Sequence, residues 1–470
     1  MARFGRLPYA SHGHGTAGSD AILAGPGDDT TAGDNAPPHG GPLAPGTAFL
    51  HSAPRDADWD ALAAKVTAYH DQTGDWGLLD KWLRHGRPYH PGDGDHHGRA
   101  DFAYETVTVP GIVVTGVRSD SATTDAVVVT ASDVTGSITS AALYQGSLQD
   151  LASAPASQWN VLTPVFPGQT VTSSTFYGPN TPSFDPSLGA GEVRAVGSYK
   201  YAEGPSGPND DHGMIYQGPV NGVGGSWTQI DATSLIGKGD TLLNTIAHST
   251  MGDLVVGNYD TSLSTGHAFI FDMTTGQWTD LNPAGSLSVT AYGIWQNDGS
   301  TSTSYTIAGG YSDLNRLGLD AGYLVDYDSG THAFSHFTTF QFDNRPLAAL
   351  ISHFDGITGT ADGYNLTGDF VRGATAGAFF AQVERRADDS FAGAHWTEVA
   401  YPGAAVTFTS GNTVIDDTVL GIYVADGATH SFVASATSSP PPSHDSAATD
   451  WDALAAQVLA NLSVTGQWFA

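Results

Sequence analysis

The sequence predicts an all-β fold, a β-propeller of six four-stranded blades closed by an N-terminal strand, with short helical segments at both ends. Three observations lead there. A pattern recurs along the middle of the 470-residue chain with a mean spacing of 56 residues, and a fixed period of that size is the signature of one structural unit stacked many times. Within each period, short β-branched and aromatic runs alternate with Gly, Asn, Asp and Ser, which is strand and turn chemistry. The last copy is one strand short, and a spare strand stands ahead of the first.

The copies align on three landmarks. A glycine-rich step precedes an aromatic at Tyr199, Tyr259, Tyr311, Phe370 and Tyr423. A small-residue step into a hydrophobic run follows in DHGMIYQ, TGHAFIFD, DAGYLVDY, TAGAFFAQV and ATHSFVA. The third is Trp159, Trp227, Trp278 and Trp396, with Phe334 standing in for Trp in the fourth copy. In the clearest copy, TLLNTIAHS, DLVVGNYD, GHAFIFD and QWTDLN are four strands, the content of one propeller blade. Residues 111–164 read as a degenerate first blade through AVVVTAS, SAALYQG and QWNVLTP.

Residues 405–436 supply only three strands before the chain turns into SATSSPPPSHDSAATD. Upstream, FAYETVTVPG from Phe102 to Gly111 matches HWTEVAYPG from His395 to Gly403 in pattern and ending. It therefore serves as the missing fourth strand, which closes the ring and leaves no open sheet edge between first and last blade. The organisation follows: a Gly/Pro/His-rich disordered region at 1–50, a short helix and a His/Asp-rich linker at 51–100, the propeller at 101–436, a Pro/Ser linker at 437–449 and a helical tail at 450–470.

Composition bounds the partners. The net charge is −31, so phosphate-bearing surfaces are repelled and neither a nucleic acid nor an anionic membrane is expected. With no Cys, the fold rests on no disulfide. Glu occurs at only five positions (105, 192, 203, 384 and 398), leaving 43 Asp. Short carboxylates in Gly-rich turns are the hard oxygen donors that calcium prefers, so calcium is a possible cofactor, although no stretch matches an EF loop or the nonapeptide calcium repeat. Neither end carries an apolar stretch long enough to cross a membrane, and the first thirty residues lack the apolar core of a secretory signal.

Residues 58–78, DWDALAAKVTAYHDQTGDWGL, reappear at 450–470 as DWDALAAQVLANLSVTGQWFA. A leading Asp, an Ala/Leu-rich stretch and a Thr-Gly stop make each a short helix with a defined end. The C-terminal copy resembles the uncleaved tails of proteobacterial proteins that type I secretion machinery exports, which implies an extracellular address. The repeat GHAFIFDMTTGQWTDLN resembles the HAF-type extracellular repeat, a likeness that spans about residues 190–435 and is strongest around His267. It implies a secreted repeat protein and little chemistry, with His267 itself in a structural role.

Two sets of residues are candidates for function. In PYHPGDGDHHGR, the side chains of His90, Asp93, Asp95, His96 and His97 are all metal-binding types on a glycine-rich stretch, and a solvated linker is the competing reading. His12 and His14 in SHGHGTAG evoke the HGT motif of subtilisin-like proteases, but no matching Ser or Asp segment accompanies them. The innermost strands should carry Tyr177, His248, Tyr292, Trp295, His353 and Asp355 to the central channel. His248, His353 and Asp355 would suit general acid/base work if the protein is an enzyme. Tyr177, Tyr292 and Trp295 would suit stacking on sugar rings. The expected function is therefore binding of extracellular glycan or matrix polysaccharide, with a polysaccharide hydrolase or lyase and a structural surface scaffold as the alternatives.

Overall fold

The computed structural model describes residues 101–437, apart from 122–124, 203–209, 265, 314–318, 345–348, 350 and 373–374. Its strands form six four-stranded antiparallel sheets in a ring, a six-bladed β-propeller. Strand β1 (Asp101–Thr106) comes first in the chain. Blade 1 is β2 (Ile112–Ser119), β3 (Ala126–Asp133), β4 (Ser140–Ser147) and β5 (Trp159–Leu162). Blade 2 is β6 (Val171–Asn180), β7 (Glu192–Tyr201), β8 (His212–Pro219) and β9 (Ser226–Ile230). Blade 3 is β10 (Leu242–Met251), β11 (Leu254–Thr261), β12 (His267–Asp272) and β13 (Gln277–Leu281). Blade 4 is β14 (Ser286–Gln296), β15 (Ser304–Asp313), β16 (Ala321–Asp328) and β17 (Ala333–Phe340). Blade 5 is β18 (Ile351–Gly359), β19 (Gly363–Arg372), β20 (Thr375–Glu384) and β21 (His395–Val399). Blade 6 is β22 (Val406–Ile415), β23 (Thr418–Ala425) and β24 (Ala428–Thr437), completed by β1.

The closing strand pairs with β24 from Asp101↔Thr437 to Thr106↔Phe432. It is shorter than the sequence pattern indicates: pairing runs out just past Thr106, and the chain then crosses to the inner strand of blade 1. Its inward side chains hold it in place. Phe102 packs edge-on against Phe380 of blade 5 with ring centroids 6.0 Å apart, and Tyr104 against Tyr401 at 5.6 Å. β24 is thereby paired on both sides, and the edge left at the seam is the six-residue β1, a short edge that limits unwanted strand addition.

The repeat landmarks have a packing origin. Each aromatic of the first landmark sits on the second strand of its blade. In blades 2, 3 and 6 it stands opposite a histidine on the third strand, in the pairs Tyr199↔His212, Tyr259↔His267 and Tyr423↔His430. The last two pairs are stacked, at 4.9 and 5.0 Å. His267 also meets Ser264 Oγ at 2.6 Å through Nε2, so this histidine fastens a turn and a ring within its own blade. Where the histidine is missing, another ring fills the place: Phe337 lies against Tyr311 at 5.0 Å, and Phe342 stacks on Phe370 at 3.9 Å. In four blades the third landmark faces an aromatic on the third strand, in the pairs Tyr144↔Trp159, Tyr216↔Trp227, Phe271↔Trp278 and Tyr327↔Phe334, whereas Trp396 faces Ala381. Such cross-strand aromatic pairs contribute roughly 0.2–1 kcal/mol each.

Both copies of the duplicated segment, at 58–78 and 450–470, lie outside the described residues, as do the expected disordered region and the His/Asp-rich stretch at 90–97. No helix among the described residues is long and apolar enough to cross a membrane.

Candidate functional site

The first strand of every blade is the innermost, and these six strands touch in succession around the channel. Each carries a bulge at the same level. Pairing skips Thr115 in β2, Tyr177 in β6, His248 in β10, Tyr292 in β14, Asp355 in β18 and Asn412 in β22. An unpaired extra residue re-aims its side chain out of the ladder. Side chains of five kinds are thus presented at one level by six equivalent bulges.

These residues and their neighbours form a closed circuit. Thr115 Oγ1 donates to Phe176 O in blade 2 at 2.5 Å. Tyr177 packs on His248 at 4.9 Å, His248 on Tyr292 at 4.7 Å, and Tyr292 on His353 at 5.7 Å. His353 Nε2 lies 3.2 Å from Asp355 Oδ2. Asp369, which pairs with His353 from β19, accepts hydrogen bonds from Ser410 Oγ at 2.8 Å and Gly411 N–H at 3.0 Å in blade 6. Asn412 Nδ2 returns the circuit to blade 1 by donating to Val114 O at 2.6 Å.

The two channel histidines have opposite protonation. Burial pushes the His248 imidazolium down to about 3, and the single neutral partner, Asn258 Oδ1 at 2.5 Å, offsets only part of that. Burial also works against a charged His353, but Asp355, Asp369 and Asp320 together outweigh it and raise the imidazolium to about 9. For Asp369, burial and the Asp355 charge lift the carboxyl to about 7, with His353 and the bonds from blade 6 pulling the other way. Burial raises the Asp355 carboxyl too. One histidine is a neutral wedge and the other an imidazolium between carboxylates.

The sequence-predicted residues therefore do meet on the innermost strands, but not at one open mouth. Thr115, Tyr177, His248, Tyr292, His353 and Asn412 are each less than a tenth exposed. Trp295 lies elsewhere. It stands three residues beyond its bulge, at the same strand level as Arg118 in β2, and the two meet across the ring with the Arg118 guanidinium carbon 5.5 Å from the Trp295 ring centroid. Phe184 completes the group, 5.5 Å from Trp295 and 5.9 Å from the guanidinium.

Phe184 comes from residues 181–191, the connection between β6 and β7. A buried ion pair anchors it. Asp185 accepts from Arg194, whose Nη1 also donates to Gly252 O at 2.9 Å in blade 3. Ser187 N–H caps Asp185 Oδ1 at 2.9 Å. Arg118 itself is 6 % exposed, and burial lowers its guanidinium to about 10. Among the described residues its one hydrogen bond is a long one, 3.5 Å to Pro179 O, and no carboxylate forms an ion pair with it. Gly191, at the end of the same connection, borders a shallow groove of about 390 Å³ between blades 1 and 2, lined by Gln145, Gln158, Asn160, Pro219 and Asn221 among others.

Arg118, Phe184, Asp369 and the bulge residues Thr115 and Asn412 were not among the sequence candidates. A signal for the bulges exists: four of the six are followed by glycine, at Gly116, Gly178, Gly293 and Gly356. A Cβ on Gly116 would stand 2.1 Å from Tyr177 O, and one on Gly178 2.6 Å from His248 O. Only glycine lets neighbouring inner strands come that close.

No family model matches the sequence, and no curated protein matches it. Among solved structures, the chain is similar to a Trypanosoma rangeli sialidase in complex with sialic acid, at 8% identity over 78% of this chain and 57% of that one, with a TM-score of 0.37. It is also similar to the intramolecular trans-sialidase from Ruminococcus gnavus in complex with oseltamivir carboxylate, at 8% identity over 73% and 96% of the two chains, with a TM-score of 0.39. An ulvan lyase of a new polysaccharide lyase family is similar at 10% identity over 67% and 77%, with a TM-score of 0.35. The chain spans 57% of the length of the first of these.

Proposed function

We propose that the protein is an extracellular glycan-binding propeller that holds a carboxylate-bearing sugar of a surface or matrix polysaccharide at the mouth formed by Arg118, Phe184 and Trp295. The observation that carries this reading is the buried guanidinium without a carboxylate partner among the described residues. Burying an uncompensated charge is costly, and a ligand carboxylate would offset that cost through the forked N–H donors of arginine. The half-buried rings of Trp295 and Phe184 supply the apolar surface on which a pyranose face stacks. The amide-lined groove bordered by Gly191, at the end of the 181–191 connection, offers further groups suited to hydroxyls.

A glycan array of carboxylated and neutral sugars, run with and without calcium, tests the reading. Carboxylated sugars should bind, and Arg118→Met and Trp295→Ala should each lose at least tenfold in affinity. Equal capture of neutral sugars, or full binding by Arg118→Met, would remove the basis for it. Release of shortened product, abolished in His353→Ala, would establish the hydrolase or lyase instead. Assembly into arrays with no sugar bound would favour a surface scaffold. Export through type I machinery is part of the proposal and rests on the duplicated segment: removing residues 450–470 should leave the protein inside the cell.

A further inference from the structure

We propose that His353, Asp355 and Asp369 bind one divalent cation of the zinc or manganese class inside the channel, where blade 5 meets blade 6. One nitrogen or oxygen donor from each of the three side chains lies within 4.8 Å of the other two. His353 Nε2 and Asp355 Oδ2 are 3.2 Å apart, and a cation with bonds of about 2.0–2.2 Å separates adjacent donors by about 3 Å. The pair is thus already spaced as one edge of a coordination polyhedron.

A second observation points to a ligand. The Asp355 side chain is only 10% exposed, and its Oδ1 is buried with no hydrogen-bond partner in the structure. A buried carboxylate oxygen is ordinarily satisfied by a donor. Charge says the same: two carboxyls face one imidazole, so with both ionised the trio is anionic even when His353 is protonated. No Lys or Arg among the described residues forms an ion pair with Asp355 or Asp369. A divalent cation would neutralise both carboxylates at once and take the orphaned oxygen.

The surroundings are those of a metal ligand set. Ser410 Oγ and Gly411 N–H fix the Asp369 carboxylate from blade 6, as outer-shell donors orient ligating carboxylates elsewhere. The slight exposure of His353 and Asp355, at 9% and 10% of their side chains, leaves a narrow way in for an ion. A mixed imidazole and carboxylate set suits first-row divalent ions, whereas calcium takes six to eight oxygens. This assignment is independent of the sugar at Arg118, which lies at the mouth on other residues.

The test uses the full-length protein stripped with EDTA and titrated calorimetrically with Zn2+, Mn2+ or Ca2+ alone. One Zn2+ or Mn2+ per chain is expected from this site, together with a rise in melting temperature. Asp355→Asn and Asp369→Asn should each weaken that binding at least tenfold, while His90→Ala/His96→Ala/His97→Ala should leave it unchanged. Loss in the triple variant with retention in both Asn variants overturns the site, and so does tighter binding of Ca2+ than of Zn2+ and Mn2+. Should the Asn variants not fold, the Co2+-loaded wild type decides by pulsed electron paramagnetic resonance: one coordinated imidazole nitrogen is expected, and none or several overturns the proposal.

Discussion

Blades 3 and 5 place a histidine at almost the same point of the channel wall and treat it in opposite ways. In blade 3, His248 is the bulge residue, and the second strand offers it Asn258. In blade 5, Asp355 occupies the bulge, His353 stands two residues before it, and the second strand offers Asp369 at the position that corresponds to Asn258. An amide cannot stabilise an imidazolium against burial, whereas two carboxylates can. The ring thus shows that a propeller can hold its backbone geometry constant and still set the charge of each blade by one or two side chains.

The most damaging way to break the comparison is to remove one partner from the charged region. In metal-free protein at pH 7, His353→Ala removes the cation that faces two buried carboxyls, both of which burial already raises toward protonation, and denaturant unfolding should show a loss of at most about 3–5 kcal/mol. The matching His248→Ala change removes a neutral ring and should cost less. A smaller loss at His353 than at His248 would refute the opposite-charge reading.

Exchanging the partner should convert one region into the other. Asn258→Asp places a carboxylate against His248, so its titration, followed by NMR, should move upward from about 3 by at least about one unit. Burial of the new carboxylate opposes this, and a variant whose His248 still titrates near 3 would show that burial outweighs the partner.

The pH profile sharpens the contrast without mutation. His248 titrates at about 3 folded against an ordinary 6.5, so between those values only the unfolded chain holds the proton, and its contribution to stability falls as pH drops. His353 titrates at about 9 folded, so its contribution is complete below 6.5 and is lost as pH rises to 9. Asp369, raised to about 7 from 3.8, destabilises progressively as pH rises from 3.8 to about 7. In metal-free protein, unfolding midpoints should therefore fall from pH 6.5 to 9, and the fall should flatten in His353→Gln. His248→Gln should flatten the acid limb instead.

Two smaller effects come from outside the charged ring. Arg118→Met replaces an uncompensated buried cation by an apolar chain of similar length, so the melting temperature should rise by a degree or two as sugar binding is lost. His267→Ala removes one stacked ring and a turn contact, for less than about 1 kcal/mol.

What the sequence revealed divides along the same line as the repeat. Blade number, strand order and the closing strand at Phe102 were legible because every blade repeats the same packing problem, which leaves Tyr259-like and Trp278-like residues once per blade. The innermost placement of His248 and His353 followed from strand order alone. The bulges were hard to read, since one extra residue in a strand alters neither composition nor alternation enough to stand out, and the glycine that follows four of the six is their one local mark. Arg118, Phe184 and Trp295 come from blades 1, 2 and 4, and Asp369 reaches His353 only through strand pairing. Contacts made across a ring leave no mark on the local sequence.

Ring closure has a mechanical consequence. Asp101 opens β1, Thr437 ends β24, and the two are paired, so the chain enters and leaves the propeller side by side at one corner of blade 6. Tension applied through the flanking segments pulls perpendicular to that pair and loads its hydrogen bonds one after another, as a zipper, not all together in shear. Under force, the seam peels from Asp101 toward Thr106, and the propeller opens at blade 6 while the other five blades carry no load.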